Sequence, residues 1–369
     1  MSPLSRAIIL ALSLLASSVF GQTITSVTGD LDHGGSVVIG GSGFGVKSPA
    51  APLKWETFES GSNDTQVELT QSEWISYQDG GARYSTTQAY SGSYSIANKV
   101  SYAEGGFATN YFDIGVTDTV FVSQKYRLEG INWGASDFQW KNTRIKDNTD
   151  GRAQSGPYHG YGFFQNDRIN YRTYSAMHFQ METGGTVELD LRWGGWQESG
   201  WGGQELEFVL GAVGVADGTS NITMLFNGTS TSGQTYEGNS LNRTAQYEFK
   251  TVLLGLMHAN LTAEYANFAA YIDDVYIDDT RARVFIGNSN TVANCGIREM
   301  QLPTAWAGGS ITVTVNTGAF ADSTNAYLYV VESDGTPSNA FTITIGEAGG
   351  GGVSGITAPP DSLTASGGN

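Results

Sequence analysis

The side chains best suited to chemistry lie between positions 158 and 203 of the 369-residue chain. The run Arg192-Trp-Gly-Gly-Trp-Gln-Glu-Ser-Gly-Trp-Gly-Gly sets Trp193, Trp196 and Trp201 among glycines that cannot cover them locally. Flat indole faces stack on the C–H-rich faces of sugars, while amides, carboxylates and guanidinium groups fix orientation by hydrogen bonding. Arg192 with these tryptophans is therefore a candidate carbohydrate-binding set. A second polar and aromatic stretch brings Tyr158, His159 and Tyr161, followed by Arg168, Tyr171, Arg172, His178 and Gln180. The competing reading is structural: a tryptophan beside a strand is more often core than ligand platform, as Trp74, Trp133 and Trp140 are read here.

Two catalytic chemistries can be tested on these residues. A retaining glycanase needs two carboxylates about 5 to 5.5 Å apart, which alternating positions on one strand supply. Glu205-Leu-Glu207 and Glu188-Leu-Asp190 have that alternation. A polysaccharide lyase needs Arg or Gln to neutralise a uronate, with Tyr and His to take and give the proton. Tyr171, Arg172, His178 and Gln180 supply those types. Neither set reproduces a known motif spacing, so catalysis stays an alternative to binding. Asp273-Asp274 and Asp278-Asp279 offer the oxygen ligands a hard cation prefers, which makes a structural Ca²⁺ the alternative to the reading of no cofactor. On a regular strand, however, Asp273 and Asp274 would point to opposite faces. No other cofactor is called for, since phosphate loops, zinc spacings and nucleophile elbows are missing from the sequence.

The elements that must position these residues read as strands. Gly 49 and 12% aromatic residues accompany many short apolar and polar alternations, the pattern of strands joined by tight turns. Examples are Ser36 to Ile39, Thr119 to Tyr126, Thr186 to Arg192, Ala270 to Ile277, Ser310 to Val315 and Ala340 to Ile345. Only Gln246 to Tyr265 has a helical period, and its Val252-Leu-Leu core also suits a strand.

Charge and the chain ends bound the setting. Lys+Arg 19 against Asp+Glu 36 gives a net charge of -17, which repels phosphate backbones and excludes nucleic acid as a natural partner. Cys295 is the single cysteine, so no internal disulfide forms. Residues 1–21 show a basic start, an apolar run and small residues, the pattern of a cleaved secretory signal. The apolar run is too short to span a bilayer, so the chain is read as secreted, extracellular or cell-surface and not membrane-spanning.

Ile24-Thr-Ser-Val-Thr-Gly followed by Gly34-Gly-Ser-Val-Val-Ile-Gly-Gly-Ser-Gly-Phe-Gly resembles the opening of a TIG-type immunoglobulin-like domain. The remaining strands of that family have counterparts only near the far end, in Arg283-Val-Phe-Ile-Gly-Asn, Ile297 to Pro303, Ser310 to Val315 and Ala326 to Gly346. Neither end alone has enough strands to close a sandwich. Residues 23–50 and 281–346 are therefore read as one domain in two parts, against the alternative of two independent β modules. The insertion, residues 52–280, begins Trp55-Glu-Thr-Phe-Glu-Ser-Gly, continues through Ala89-Tyr-Ser-Gly-Ser-Tyr-Ser-Ile and ends Tyr271-Ile-Asp-Asp-Val-Tyr-Ile-Asp. This order resembles the concanavalin A-like jelly rolls of carbohydrate-binding modules, glycanases and polysaccharide lyases. The resemblance implies an all-β chain: a jelly-roll sandwich inserted in a split immunoglobulin-like sandwich, with a polysaccharide or surface glycan as partner. A structural or adhesive role without a sugar ligand is the third reading. Residues 347–369, rich in Gly, Ser and Pro, read as a flexible tail.

Overall fold

A computed structural model describes residues 21–76, 81–99, 101, 107–130, 140–147, 163–166, 176–180, 186–189, 200–212, 219–226, 229–232, 236–237, 248–257 and 267–352. The expected secretory signal lies outside them. The described chain is all-β apart from single turns at Val67–Thr70 and Val292–Asn294.

The strands form four sheets. An outer sheet of seven runs in the order Thr186–Leu189, Ala176–Gln180, Phe163–Asn166, Trp140–Asp147, Phe249–Met257, Phe107–Thr117 and Trp74–Ser76. A middle sheet of nine is built on Thr229–Ser232, Thr219–Phe226, Gly202–Val209, Thr119–Glu129, Ala269–Asp278, Ser95–Lys99 and Arg83–Ser85, with Tyr236–Glu237 and Lys54–Glu56 paired beside them. A linking sheet of four orders Arg298–Met300, Arg283–Gly287, Asn325–Val331 and Phe341–Thr344. A terminal sheet of five orders Leu302–Ala307, Ser310–Thr314, Ser36–Ser42, Thr23–Asp30 and Ala348–Gly352. The two ends of the chain meet here, with Ser36 opposite Thr314 and Gly40 opposite Ser310.

Strand alternation explains how the sheets stack. Along Gly202–Val209, Gln204 and Phe208 face the outer sheet, where Gln204 shares a hydrogen-bond network with Gln124 and Thr143 and Phe208 meets Phe249 edge-on at 6.2 Å. The intervening Glu205 and Glu207 face the linking sheet, which supplies their arginine partners. Along Arg283–Gly287 the same division holds. Val284 and Ile286 join Val37, Ile39, Ile311 and Val313 in the core between the linking and terminal sheets. Phe285 packs the other way, with Phe121 and Tyr276 of the middle sheet and Tyr329 and Val331 of its own. The result is four layers in the order outer, middle, linking, terminal. Phe44 plugs the terminal core at 1% exposure, held by a turn whose Gly43 and Gly45 take positive φ of 76° and 64°.

Two elements differ from the sequence reading. The segment with a helical period is a strand, Phe249–Met257, whose Val252, Leu253 and Leu254 are all buried. A strand buried on both faces has no period of two, so pattern alone cannot separate it from a helix. The expected flexible tail starts as an edge strand: Ala348–Gly352 pairs with Ser26 to Asp30 through backbone groups, which need no side chains.

Candidate functional site

On the outer sheet, ladder register places Glu188 opposite His178, His178 opposite Phe163, Phe163 opposite Arg144, and Arg144 opposite Leu253, which lies opposite Tyr111. Thr143 and Ile145, one position to either side of Arg144, are buried, and Thr143 is bonded to Gln124 of the middle sheet. By alternation, Leu253 and Tyr111 belong to the face turned away from the middle sheet, and both are buried there, at 2% and 7% exposure. Gln180 stands two positions beyond His178 on the same strand, opposite Thr186. Thus two of the sequence-derived candidates, His178 and Gln180, occupy alternate positions in line with Arg144 and Tyr111. Sequence reasoning passed over Arg144 and Tyr111, because their alignment is a property of register between distant strands.

Trp201 sits elsewhere. It is half-buried against Ala97, Ala269 and Tyr271 and meets Tyr90 edge-on at 5.7 Å. Tyr271 pairs with Arg127, and Ala269 with Glu129, on the strand face that also carries Lys125. Trp201 therefore lies on the middle sheet's far side, beside the contact with the linking sheet and across the sandwich from the His178 row. Arg192, Trp193, Trp196, Tyr158, His159, Tyr161 and Arg172 lie outside the described residues. Trp74, read as core, is 1% exposed.

Among the described residues, the seam between the middle and linking sheets gathers most of the buried charge. Arg298 Nη1 donates to Glu205 Oε2 at 2.7 Å, Arg281 meets Glu207 at 2.5 Å, and Arg283 lies 3.6 Å from Glu207 with its guanidinium over the Phe121 ring. Lys47 pairs with Asp278 at 2.7 Å. These contacts give the Glu205 and Glu207 alternation, weighed above against a glycanase pair, a place in the packing. Both carboxylates do share one face, but arginines neutralise them inside the protein, where neither an attacking water nor a sugar reaches.

At the seam's other end, Lys125 Nζ lies 2.9 Å from Glu299 and 4.7 Å above the Tyr90 ring, and the Tyr90 hydroxyl donates to Glu299. Tyr90 N donates to Asp273 Oδ2 at 2.8 Å, and Ser91 Oγ to Asp274 Oδ1 at 2.6 Å. Both aspartates thus reach one loop, contrary to the opposite faces expected on a regular strand. The physical reason is a bulge: the ladder shifts register between Asp273 and Tyr276, and Asp274 takes a positive φ of 44°. Burial raises both carboxyls, Asp273 to about 8 with repulsion from Asp274 adding to it, and Asp274 to about 6 against the hydrogen bond from Ser91. Asp278 is also raised by burial to about 6, with Lys47 pulling it down. Among the described residues, no group of three or more His, Cys, Asp or Glu side chains is arranged to hold a metal ion. No helix among the described residues is long and apolar enough to cross a membrane.

No family model matches the chain, and no curated protein matches it. Among solved structures it is similar to an alginate lyase of Aplysia kurodai at 13% identity and a TM-score of 0.45, over 62% of this chain and 99% of that one. It is also similar to an endo-β-1,4-glucuronan lyase of Trichoderma reesei (12% identity, TM-score 0.41, 62% and 95% of the two chains). A third is a carbohydrate esterase of the Shiga toxin-encoding bacteriophage phi24B (12%, 0.37, 61% and 97%).

Proposed function

We propose that the protein is a secreted or cell-surface polysaccharide-binding protein. In this reading the outer sheet carries the glycan face, and the linking and terminal sheets form a TIG-type immunoglobulin-like module that holds it. The layer order carries the proposal. One face of the inserted sandwich is taken up by the charged seam, so a ligand of that sandwich has the far face of the outer sheet, where the His178 row runs. Arg192, Trp193, Trp196, Tyr158, His159, Tyr161 and Arg172 are assigned to the same glycan site by their chemistry. Trp201 is assigned to packing beside the seam.

One observation favours a second reading, a polysaccharide lyase. His178 and Gln180 alternate on one strand and share their register with Arg144 and Tyr111, which assembles the residue types that neutralise a uronate and move its proton.

The test is a panel of anionic and neutral polysaccharides in affinity gels, with release of unsaturated ends followed in parallel. The samples are mature protein, a Trp193→Ala/Trp196→Ala variant, Trp201→Ala and His178→Ala. Retardation lost in the Trp193/Trp196 variant but kept in Trp201→Ala, with native far-UV dichroism throughout, supports the binding reading. Unsaturated ends released by wild type and abolished in His178→Ala establish the lyase. Failure to retard on any polysaccharide would overturn both and leave an adhesive or structural role.

A further inference from the structure

We propose that a proton held by the Asp273–Asp274 pair locks the middle sheet to the linking sheet, and that its loss to bulk solvent loosens this seam. The argument starts from a count of charges. Asp273, Asp274 and Glu299 are 0%, 3% and 0% exposed, and among the described residues the cation of the site is Lys125, paired with Glu299 and acting on Asp274 through space. The neighbouring Arg298 is turned to Glu205, and Arg127 is engaged with Glu129 at 3.0 Å. Tyr90 donates its hydroxyl proton to Glu299, so it adds no positive charge. With all three carboxyls ionised the site would bury two uncompensated negative charges, which a low-dielectric interior does not sustain.

The geometry says where that excess would act. The aspartates belong to the middle sheet and Glu299 to the linking sheet, so each added charge repels across the seam. Asn316 faces Asp274 from the linking side and, as a neutral amide donor, eases its ionised form without supplying a positive charge. Glu299 has no room to retreat. It accepts from Ala319 N at 3.3 Å, and a Cβ at Gly318, where φ is 48°, would stand 2.2 Å from its Cδ. Repulsion therefore falls on the Tyr90–Ser91 loop and on the strained backbone of Asp274, the parts of the site able to shift. Burial and mutual repulsion raise both aspartates, and the pair titrates as a unit.

The sign follows from linkage. A carboxyl raised in the folded state binds more proton there than in the unfolded chain, so its contribution to stability falls as pH rises through the raised value. One such proton makes the unfolding constant grow by up to about tenfold per pH unit across the window. The experiment is urea unfolding of the full protein from pH 5 to 9, beside Asp274→Asn and an Asp278→Asn control, with infrared spectra of the folded wild type. Expected are a buried protonated-carboxyl band at pH 6 that fades by pH 9, persists in Asp278→Asn and weakens in Asp274→Asn. Amide exchange at residues 88–91 and 298–301 should quicken over the same range. A wild-type band absent at pH 6, or one lost in Asp278→Asn and kept in Asp274→Asn, would overturn the proposal. The infrared and exchange measurements on wild type decide the matter even where a variant fails to fold.

Discussion

Replacing Arg298 by Ala tests whether the charged seam makes the four layers one cooperative unit. The guanidinium donates to Glu205 at 2.7 Å and to the Val292 carbonyl at 2.9 Å, and both charged side chains are nearly buried, at 6% and 5% exposure. Truncation leaves Glu205 in place with its Oε1 already without a hydrogen bond and Arg283 no nearer than 3.9 Å. Breaking a buried pair from one side costs about 3 to 5 kcal/mol. The remaining arginine softens that, while the lost bond to Val292 adds to it, so about 3 kcal/mol is expected. This is more than a hundredfold in the folding equilibrium at about 1.4 kcal/mol per factor of ten. The assay is a double-mutant cycle with Glu205→Gln, read as urea midpoints by fluorescence and dichroism at constant slope. Because each single change strands the other partner, the double variant should lose less than the sum of the singles by about 1 to 3 kcal/mol. A cost for Arg298→Ala under about 1 kcal/mol, or single costs that add within about 0.5 kcal/mol, would refute the reasoning. So would two separated unfolding transitions in wild type, since a welded seam requires one.

Gln124→Leu withdraws the donor shared by Thr143 Oγ1 at 2.9 Å and Gln204 Oε1 at 2.8 Å between the outer and middle sheets. It should cost about 1 to 3 kcal/mol in urea unfolding, and a cost below about 0.5 kcal/mol would show that the network is dispensable. Lys47→Met removes the cation 2.7 Å from Asp278, whose carboxyl already sits at about 6 because of burial. That carboxyl then rises further, so the variant's loss of melting temperature should be greater at pH 8 than at pH 5; a loss independent of pH would contradict this.

The all-β class was legible in the sequence because strands with one face in a core carry alternation, as Ser310–Thr314 does, with Ile311 and Val313 buried between more exposed neighbours. Phe249–Met257 was ambiguous because Val252, Leu253 and Leu254 are all buried. The bulge at Asp273–Asp274 was hidden, since a bulge is a mismatch between partner strands and leaves no mark in one of them. The Glu205-Leu-Glu207 alternation was visible in the sequence, but its role was not. Its partners, Arg281, Arg283 and Arg298, lie more than seventy positions away, and only tertiary pairing decides whether an acidic alternation lines a groove or a seam.

The buried arginines carry a usable signal. Arg283-Val-Phe-Ile-Gly and Arg298-Glu-Met are strands whose every residue is buried, yet they hold three ionisable side chains. Such charges persist in a strand interior only with partners of opposite sign, and the acidic alternation at 205 and 207 is one source of them. Charges in otherwise apolar strands of one module therefore point to complementary charges in the other. By the same logic, ionisable residues on strands with no such counterpart are the better candidates for a ligand. His178 stands in that position, with the uncharged Gln180 two places along its strand: both belong to the end layer, whose strands pair with one another and with no strand of the linking sheet. A glycan site on this chain is best sought on the outer sheet, away from the seam, and toward its Thr186–Leu189 edge rather than at Phe249–Met257, which is buried on both faces.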